Sequence, residues 1–158
     1  MGRMGNDMRT INLIVVHCSA TKASHYIGAE DIRRWHVDDN GWSDIGYHFV
    51  IKRDGEVDPG RPVDRAGAHC YGHNKYSIGI CMVGGIDRGG EPENNFNPIQ
   101  FDALLTLIRE LKDEYPIDDI CGHRDLSPDV DGDGEVEQHE WVKACPCFDV
   151  REYLTDRL

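Results

Sequence analysis

The chain contains, at residues 11–17, the sequence Ile-Asn-Leu-Ile-Val-Val-His. This is a short β-branched run of the kind that a buried strand requires, and its last residue is His17. Loops follow buried strands at their C-terminal ends, and loops carry functional sites. The run therefore predicts an interior strand that delivers His17 to one edge of a sheet.

Three further segments have the pattern of strands. Residues 47–52 alternate apolar and polar side chains, and Asp54-Gly55 supplies a turn with positive φ that folds residues 56–58 back as a hairpin. Residues 77–83 form a second buried run, which two glycines close. Residues 117–121 predict a weaker strand. The hairpin is the clearest strand pair in the sequence.

Helices are expected between these strands. Residues 29–39 carry apolar side chains at helical spacing and end at Asn40-Gly41, where a left-handed residue can stop a helix. Pro98 opens a helix whose apolar residues recur every three or four positions up to Tyr115. Asp149 has the character of an N-cap for a last helix through Leu158. This order predicts an α/β fold with a central mixed sheet flanked by helices on both faces.

Length and composition are those of one globular domain. The chain has 158 residues, of which 39% are apolar and 29% charged. A chain of this size buries enough surface for one stable core without disulfides. We expect a mobile tail at residues 1–9, followed by a single domain at residues 10–158 that exists as a monomer.

The net charge argues against several classes of partner. Seventeen Lys and Arg residues oppose 29 Asp and Glu residues, which gives a formal charge of −12 and makes nucleic acid an improbable ligand. No apolar run approaches the roughly 20 residues of a membrane span. Residues 1–10 lack the apolar centre of a signal peptide. We therefore expect no membrane association and synthesis in the cytoplasm without a signal peptide.

His17, His123 and Cys145 are candidates for a metal site. Catalytic zinc needs three nitrogen, sulfur or oxygen ligands from rigid elements and one open position for water. The two histidines stand at the ends of predicted strands, and Cys145 lies in a loop just before the last helix. Because the chain has eight histidines, spacing alone leaves ordinary buried or surface histidines as the alternative.

A resemblance to a known family covers nearly the whole chain, from Ile11 to Leu154. The sequence resembles the zinc N-acetylmuramoyl-L-alanine amidases shared by phage-type lysozymes and peptidoglycan recognition proteins. The stretches that carry the resemblance stand in the same order as in the family: Val16-His-Cys-Ser-Ala-Thr21, Ile32-Arg-Arg-Trp-His36, Gly41-Trp42, Gly46-Tyr-His-Phe-Val-Ile-Lys-Arg-Asp-Gly55, Ser77-Ile-Gly79, Gly122-His-Arg-Asp125 and Lys143-Ala-Cys-Pro146.

The resemblance implies a function and a set of site residues. The function is zinc-dependent hydrolysis of the amide between the lactyl group of N-acetylmuramic acid and L-alanine in bacterial peptidoglycan. Without a signal peptide, the protein would reach the cell wall after lysis or holin-type release. The residues implied are His17, His123 and Cys145 as zinc ligands, Tyr47 and Lys143 as catalytic partners, and His69 and Asn74 as contacts to the lactyl or peptide part.

Two points stay open within this interpretation. Either Tyr47 or Lys143 could serve as the general base. The alternative function is a non-catalytic peptidoglycan-binding or regulatory protein, because recognition-only members of the family bind cell-wall fragments without cutting them. Those members lack the cysteine ligand, which this chain retains as Cys145.

An acidic loop at residues 129–140 fits a second metal. It resembles the twelve-residue EF-hand loop, with a glycine at position 6 for the sharp turn. The alternative is a solvated acidic loop. We expect the loop, inserted between His123 and Cys145, to bind Ca²⁺ and thereby to support the geometry of the zinc site. The predicted calcium ligands are Asp129, Asp131, Asp133, Glu135 and Glu140.

Overall fold

The computed structural model describes residues 9–127 and 144–158. Seven strands are present in this part of the chain: β1 (Leu13–Cys18), β2 (Thr21–Lys22), β3 (Phe49–Ile51), β4 (Val57–Pro59), β5 (Ser77–Met82), β6 (Gly85–Ile86) and β7 (Asp119–Gly122). The α-helices are α1 (Ala29–Arg34), α2 (Pro98–Glu114) and α3 (Val150–Leu154). Short 3-10 turns precede β5 and follow β7, at Asn74–Tyr76 and His123–Leu126.

Five of the strands form one mixed sheet in the order β4-β3-β5-β1-β7. β1 pairs in parallel with β5 on one side and with β7 on the other, and β3 pairs in parallel with β5. Only the β3–β4 pair is antiparallel within this sheet, which is the predicted hairpin. All six residues of β1 are buried, as its β-branched composition predicts. The short strands β2 and β6 form a separate parallel pair.

Helices cover both faces of the sheet, which confirms the predicted fold class. On one face, Ile14 and Val16 of β1 belong to the same apolar cluster as Leu104 and Ile108 of α2, and the last helix joins them. On the other face, Ala29 and Ile32 of α1 pack with residues of β3 and β5. Because successive side chains of a strand point to opposite faces, His17 lies on the α1 side of the sheet.

The start of α2 is tied to the sheet by a polar network. The side chain of Asn97 accepts a hydrogen bond from the Gln100 backbone N–H at 3.0 Å and so caps the helix. Gln100 is fully buried, and its side chain donates to the carbonyl of Val83 at 3.0 Å and accepts from Arg53 at 3.0 Å. A buried amide is stable here because its polar atoms have partners.

Several element boundaries differ from those predicted. The helix expected over residues 29–39 is α-helical to Arg34 and continues as a π-helical turn at Trp35–Asp39. Gly41 has a φ of +74°, as expected for the left-handed stop. The last helix is capped by Asp149 as predicted but ends at Leu154 rather than at Leu158. Within residues 9–127 and 144–158, no helix combines the length and apolar character that a membrane crossing needs.

His48 links three segments beneath the sheet. Its Nδ1 accepts from the Gly79 N–H at 3.0 Å, and its Nε2 lies 2.8 Å from the carbonyl oxygen of Arg65. The side chain is 1% exposed. Burial lowers the pKa of His48 to about 4, and the positive charges of Arg9 and Arg61 act in the same direction, whereas the hydrogen bond to Arg65 opposes them. The folded protein therefore holds this imidazole neutral.

We expect the free energy of unfolding to decrease as the pH is lowered, partly because of His48. In the unfolded chain His48 takes up a proton below about pH 6.5, whereas in the folded chain its pKa is about 4, so it stays neutral until the pH is that low. Between pH 7 and pH 5, this difference removes about 2 kcal/mol of unfolding free energy, a loss that His48→Asn would not show. Urea denaturation of the metal-free protein at both pH values measures it. His25→Asn, at an exposed position, is the control, and equal pH dependence in the parent and His48→Asn would contradict the prediction.

Candidate active site

The structure brings His17, His123 and Cys145 together. One potential ligand atom from each residue lies within 4.8 Å of the other two. Val16 of β1 is opposite Gly122 of β7 in the parallel register, so the histidine that follows each of them emerges at the same edge of the sheet. The two imidazole centroids are 4.6 Å apart.

Cys145 is held at this edge by backbone contacts. The N–H of Cys18 donates to the Cys145 Sγ at 3.1 Å, and the Cys145 carbonyl accepts from the Arg124 N–H at 2.8 Å. Gly122 permits the close approach, because a Cβ at this position would lie 2.7 Å from the Pro146 ring. The loop that carries Cys145 therefore packs directly on the end of β7.

Tyr47 borders the same cluster. Its ring centroid lies 5.1 Å from that of His17, with an interplanar angle of 53°. Burial raises the pKa of the Tyr47 phenol well above its usual value, and the neighbouring thiols of Cys81 and Cys145 add to the effect. The phenol is thus protonated around neutral pH and can donate a hydrogen bond, and it makes one with the Cys81 side chain.

His69 lies behind His17 rather than on the surface. The side chain is 8% exposed, and its Nδ1 is 2.8 Å from the Nε2 of His17. Its other ring nitrogen, Nε2, is 3.1 Å from the hydroxyl oxygen of Ser77. Burial lowers the pKa of His69 to about 3, with further contributions from His48 and His123. Both ring nitrogens of His69, a residue predicted to contact substrate, thus have partners inside the protein.

Asn74 closes the loop that carries His69. Its Oδ1 accepts hydrogen bonds from the backbone N–H groups of His69 and Cys70, each at 2.9 Å. An Asn side chain that bonds nearby backbone groups stabilises a turn in this way. The side-chain oxygen of Asn74, a residue predicted to contact the lactyl or peptide part, thus has two partners within its own loop.

Comparison with known proteins identifies the family. The family model for N-acetylmuramoyl-L-alanine amidase matches residues 7–146. The chain belongs to this family. It is 46% identical over 140 residues to an endolysin of Klebsiella phage KP32, covering 89% of this chain and 83% of that one. It is 42% identical over 140 residues to the endolysin of Escherichia phage T7, covering 89% and 83%.

Solved structures of the family have the same fold. The amidase LysC from Clostridium intestinale URNW superposes with a TM-score of 0.69 at 28% identity, covering 93% of this chain and 87% of that one. The bumblebee peptidoglycan-recognition protein PGRP-SA superposes with a TM-score of 0.70 at 26% identity, covering 94% and 82%. The predicted family and fold class are therefore confirmed, and the chain is an N-acetylmuramoyl-L-alanine amidase.

Some predicted residues of this amidase fall outside the described part of the chain. Lys143 is one of them, and the acidic loop at residues 129–140 is another. The catalytic role of Lys143 and the binding of Ca²⁺ by Asp129, Asp131, Asp133, Glu135 and Glu140 remain predictions from the sequence. The tail at residues 1–8 also lies outside. Arg9, its last predicted residue, donates to the carbonyls of Val63 at 2.7 Å and Ser77 at 2.9 Å.

The structure also places residues at the site that sequence reasoning did not. The Cys18 thiol lies beside those of Cys145 and Cys147: the hydrogen bond with Cys145, together with burial, raises the pKa of Cys18 to about 12. Cys147 donates to the carbonyl of Gly85 at 3.2 Å. All six cysteines lie in the described residues and are free thiols. The resemblance names only Cys145; the two-residue spacing suggests that Cys147 could be near it, but spacing gives no sign that Cys18 joins them.

We expect Asn74→Ala to destabilise the protein. The substitution leaves two backbone N–H groups of a partly buried loop without their acceptor, at a cost of about 1–3 kcal/mol. Asn74→Asp is the matched control, because it keeps an acceptor oxygen and also removes the amide N–H₂. Urea denaturation of the three proteins provides the measurement. Equal stability of parent and Asn74→Ala, with a raised KM in the variant, would instead favour the predicted substrate contact.

Proposed function

We propose that this amidase is zinc-dependent and cleaves the amide between the lactyl group of N-acetylmuramic acid and L-alanine in bacterial peptidoglycan. The observation that carries the proposal is the convergence of His17, His123 and Cys145 in a member of this family. Its phage relatives are named endolysins, which supports action on the cell wall after lysis or holin-type release. Cys145 at the site supports catalysis over the non-catalytic alternative.

The three side chains fit zinc by chemistry and by spacing. Two imidazole nitrogens and one thiolate sulfur are donors that Zn²⁺ favours, and three protein ligands leave the open position that a catalytic site needs. Zinc–ligand bonds in tetrahedral geometry place the donor atoms about 3.5 Å apart. The donor atoms lie within 4.8 Å, so small side-chain shifts would complete the site. The Cys18 N–H donates to the Cys145 sulfur and so fixes the position of this donor atom.

Tyr47 and Lys143 are the residues to which we assign the remaining chemistry. Zinc, when bound, would activate water at neutral pH and polarise the scissile carbonyl. The Tyr47 phenol, protonated and close to His17, donates a hydrogen bond to the oxygen on which negative charge develops. Lys143, two residues before Cys145, would provide a proton to the leaving amine. Since the pKa of Tyr47 is raised, Tyr47 is better suited to donation than to a role as general base.

The bond specificity and the metal requirement can be tested together. We expect purified sacculi treated with the protein to release stem peptides with a free L-alanine amino group, detected by mass spectrometry. One zinc ion should bind per chain, and Cys145→Ser should lower both zinc affinity and activity at least about 100-fold. Intact sacculi under zinc-replete conditions would favour the binding or regulatory alternative. Cleavage that survives both Cys145→Ser and a zinc-selective chelator would exclude the proposed zinc site.

The proposed role of Tyr47 predicts that its hydroxyl can be removed with a loss of kcat but without a loss of zinc affinity. Tyr47→Phe removes the hydroxyl and keeps the ring, so kcat should fall about 10²–10³-fold, the range for loss of one oxyanion donor. Zinc affinity should stay within about threefold of the parent, because the phenol is not a proposed ligand. Tyr76→Phe, which removes a hydroxyl bonded to His73, is the control and should keep the parent kcat. An unchanged kcat in Tyr47→Phe would show that the phenol has no catalytic role.

A further inference from the structure

The contact between His17 and His69 determines which nitrogen of His17 can hold a metal. The two rings meet edge to face, with centroids 4.9 Å apart and an interplanar angle of 89°. The Nε2 of His17 is directed at the Nδ1 of His69, 2.8 Å away. Because Nε2 is engaged in this bond, Nδ1 is the nitrogen through which His17 would bind zinc.

The proton positions along this contact are mutually consistent. An imidazole that binds metal through Nδ1 carries its proton on Nε2. The His17 Nε2–H can then donate to the Nδ1 of His69, which must act as the acceptor. His69 in turn carries its proton on Nε2 and donates to the Ser77 hydroxyl oxygen, 3.1 Å away. The His17 Nε2–H and the His69 Nε2–H therefore each have an acceptor, and the His69 Nδ1 has a donor.

The fold leaves the His69 ring little freedom to move. The ring packs on the bare backbone of β5, where a Cβ on Gly79 would lie 2.6 Å from the His69 Cγ. Asn74 fixes the backbone of His69 from the other side. Ser77 is fully buried at the start of the same strand. The spacing of Ser77 and Gly79 thus provides one residue that binds the ring and one that makes room for it.

We propose that His69 is a positioning residue that accepts a hydrogen bond from His17 Nε2–H and thereby directs His17 Nδ1 toward the catalytic metal. Outer partners of this type set the tautomer and orientation of a ligating histidine, and their loss typically weakens metal binding 10–100-fold. In this role His69 acts through His17 rather than by contact with the metal or the substrate. The inference rests on the proposed zinc site and assigns to His69 a role other than the substrate contact predicted from the sequence.

A matched pair of variants isolates the acceptor at His69. Asn and Leu have the same branched shape, but only Asn places an acceptor oxygen near the position of the histidine Nδ1. Zinc affinity is measured by competition with a chromophoric chelator, and ligand geometry by the absorption bands of the Co²⁺-substituted protein. We expect His69→Leu to bind zinc 10–100-fold more weakly with altered Co²⁺ bands, and His69→Asn to stay within about fivefold of the parent.

His48→Asn controls for general loss of stability. This residue is a second buried histidine whose ring centroid lies 5.8 Å from that of His69, and its polar contacts are with Gly79, Arg65 and Arg9 rather than with His17. Its zinc affinity should match the parent even though the variant is less stable. The inference is overturned if His69→Leu keeps the parent affinity and Co²⁺ bands, if His69→Asn is as weak as His69→Leu, or if His48→Asn is equally weakened.

Zinc binding by the parent protein and by Cys145→Ser tests the proposed function independently of the role of His69. If the parent binds zinc and Cys145→Ser does not, the metal site stands, and the His69 variants alone decide the positioning role. If the parent binds no zinc, both the proposed site and the role of His69 are overturned.

Discussion

Parallel pairing of β1 with β7 is the constraint on which the candidate site depends. Parallel neighbours end at the same edge of a sheet, so the histidine after Val16 and the histidine after Gly122 emerge together although 106 positions separate them in the sequence. Pairing with β5 on the other side buries β1 completely and leaves its register no freedom. A shift of one residue would exchange the two faces of β1 and remove His17 from the site.

Because side chains alternate along β1, His17 and Cys18 point to opposite faces of the sheet and contact different parts of the site. His17 faces the α1 side, where His69 and Tyr47 contact it. Cys18 faces the α2 side with its side chain, while its backbone N–H reaches the Cys145 sulfur. Two consecutive residues of one rigid strand thus orient two of the three proposed ligands. Sites built on regular elements hold their geometry more precisely than sites built on loops alone.

Local patterns account for most of what the sequence predicted correctly. β1, the hairpin turn at Gly55 and the Pro98 helix each follow from the chemistry of a few adjacent residues, and the structure contains all three. The last helix was predicted too long, because its cap and first turn are local features whereas its end is not. The chain leaves the helix at Thr155, whose N–H bonds to the carbonyl of Glu152, three residues back.

The candidate site was predictable only in part, and for a physical reason. The grouping of His17, His123 and Cys145 came from a resemblance, since spacing alone favoured ordinary buried or surface histidines. The bond between His17 and His69 joins residues 52 positions apart and depends on the sheet register and on the space above Gly79. No periodicity encodes such a contact, and the family resemblance predicted only a substrate contact for His69.

Burial of these imidazoles connects the stability of the fold to the chemistry of the site. A histidine can accept a hydrogen bond or bind a metal only in its neutral form. Burial lowers the pKa of His48 and of His69 and so keeps both rings neutral well below neutral pH. The unfolded chain has no such restriction and gains protons there as the pH falls, which shifts the folding equilibrium toward unfolding. The interior that keeps the site competent near neutral pH therefore also makes the fold sensitive to acid.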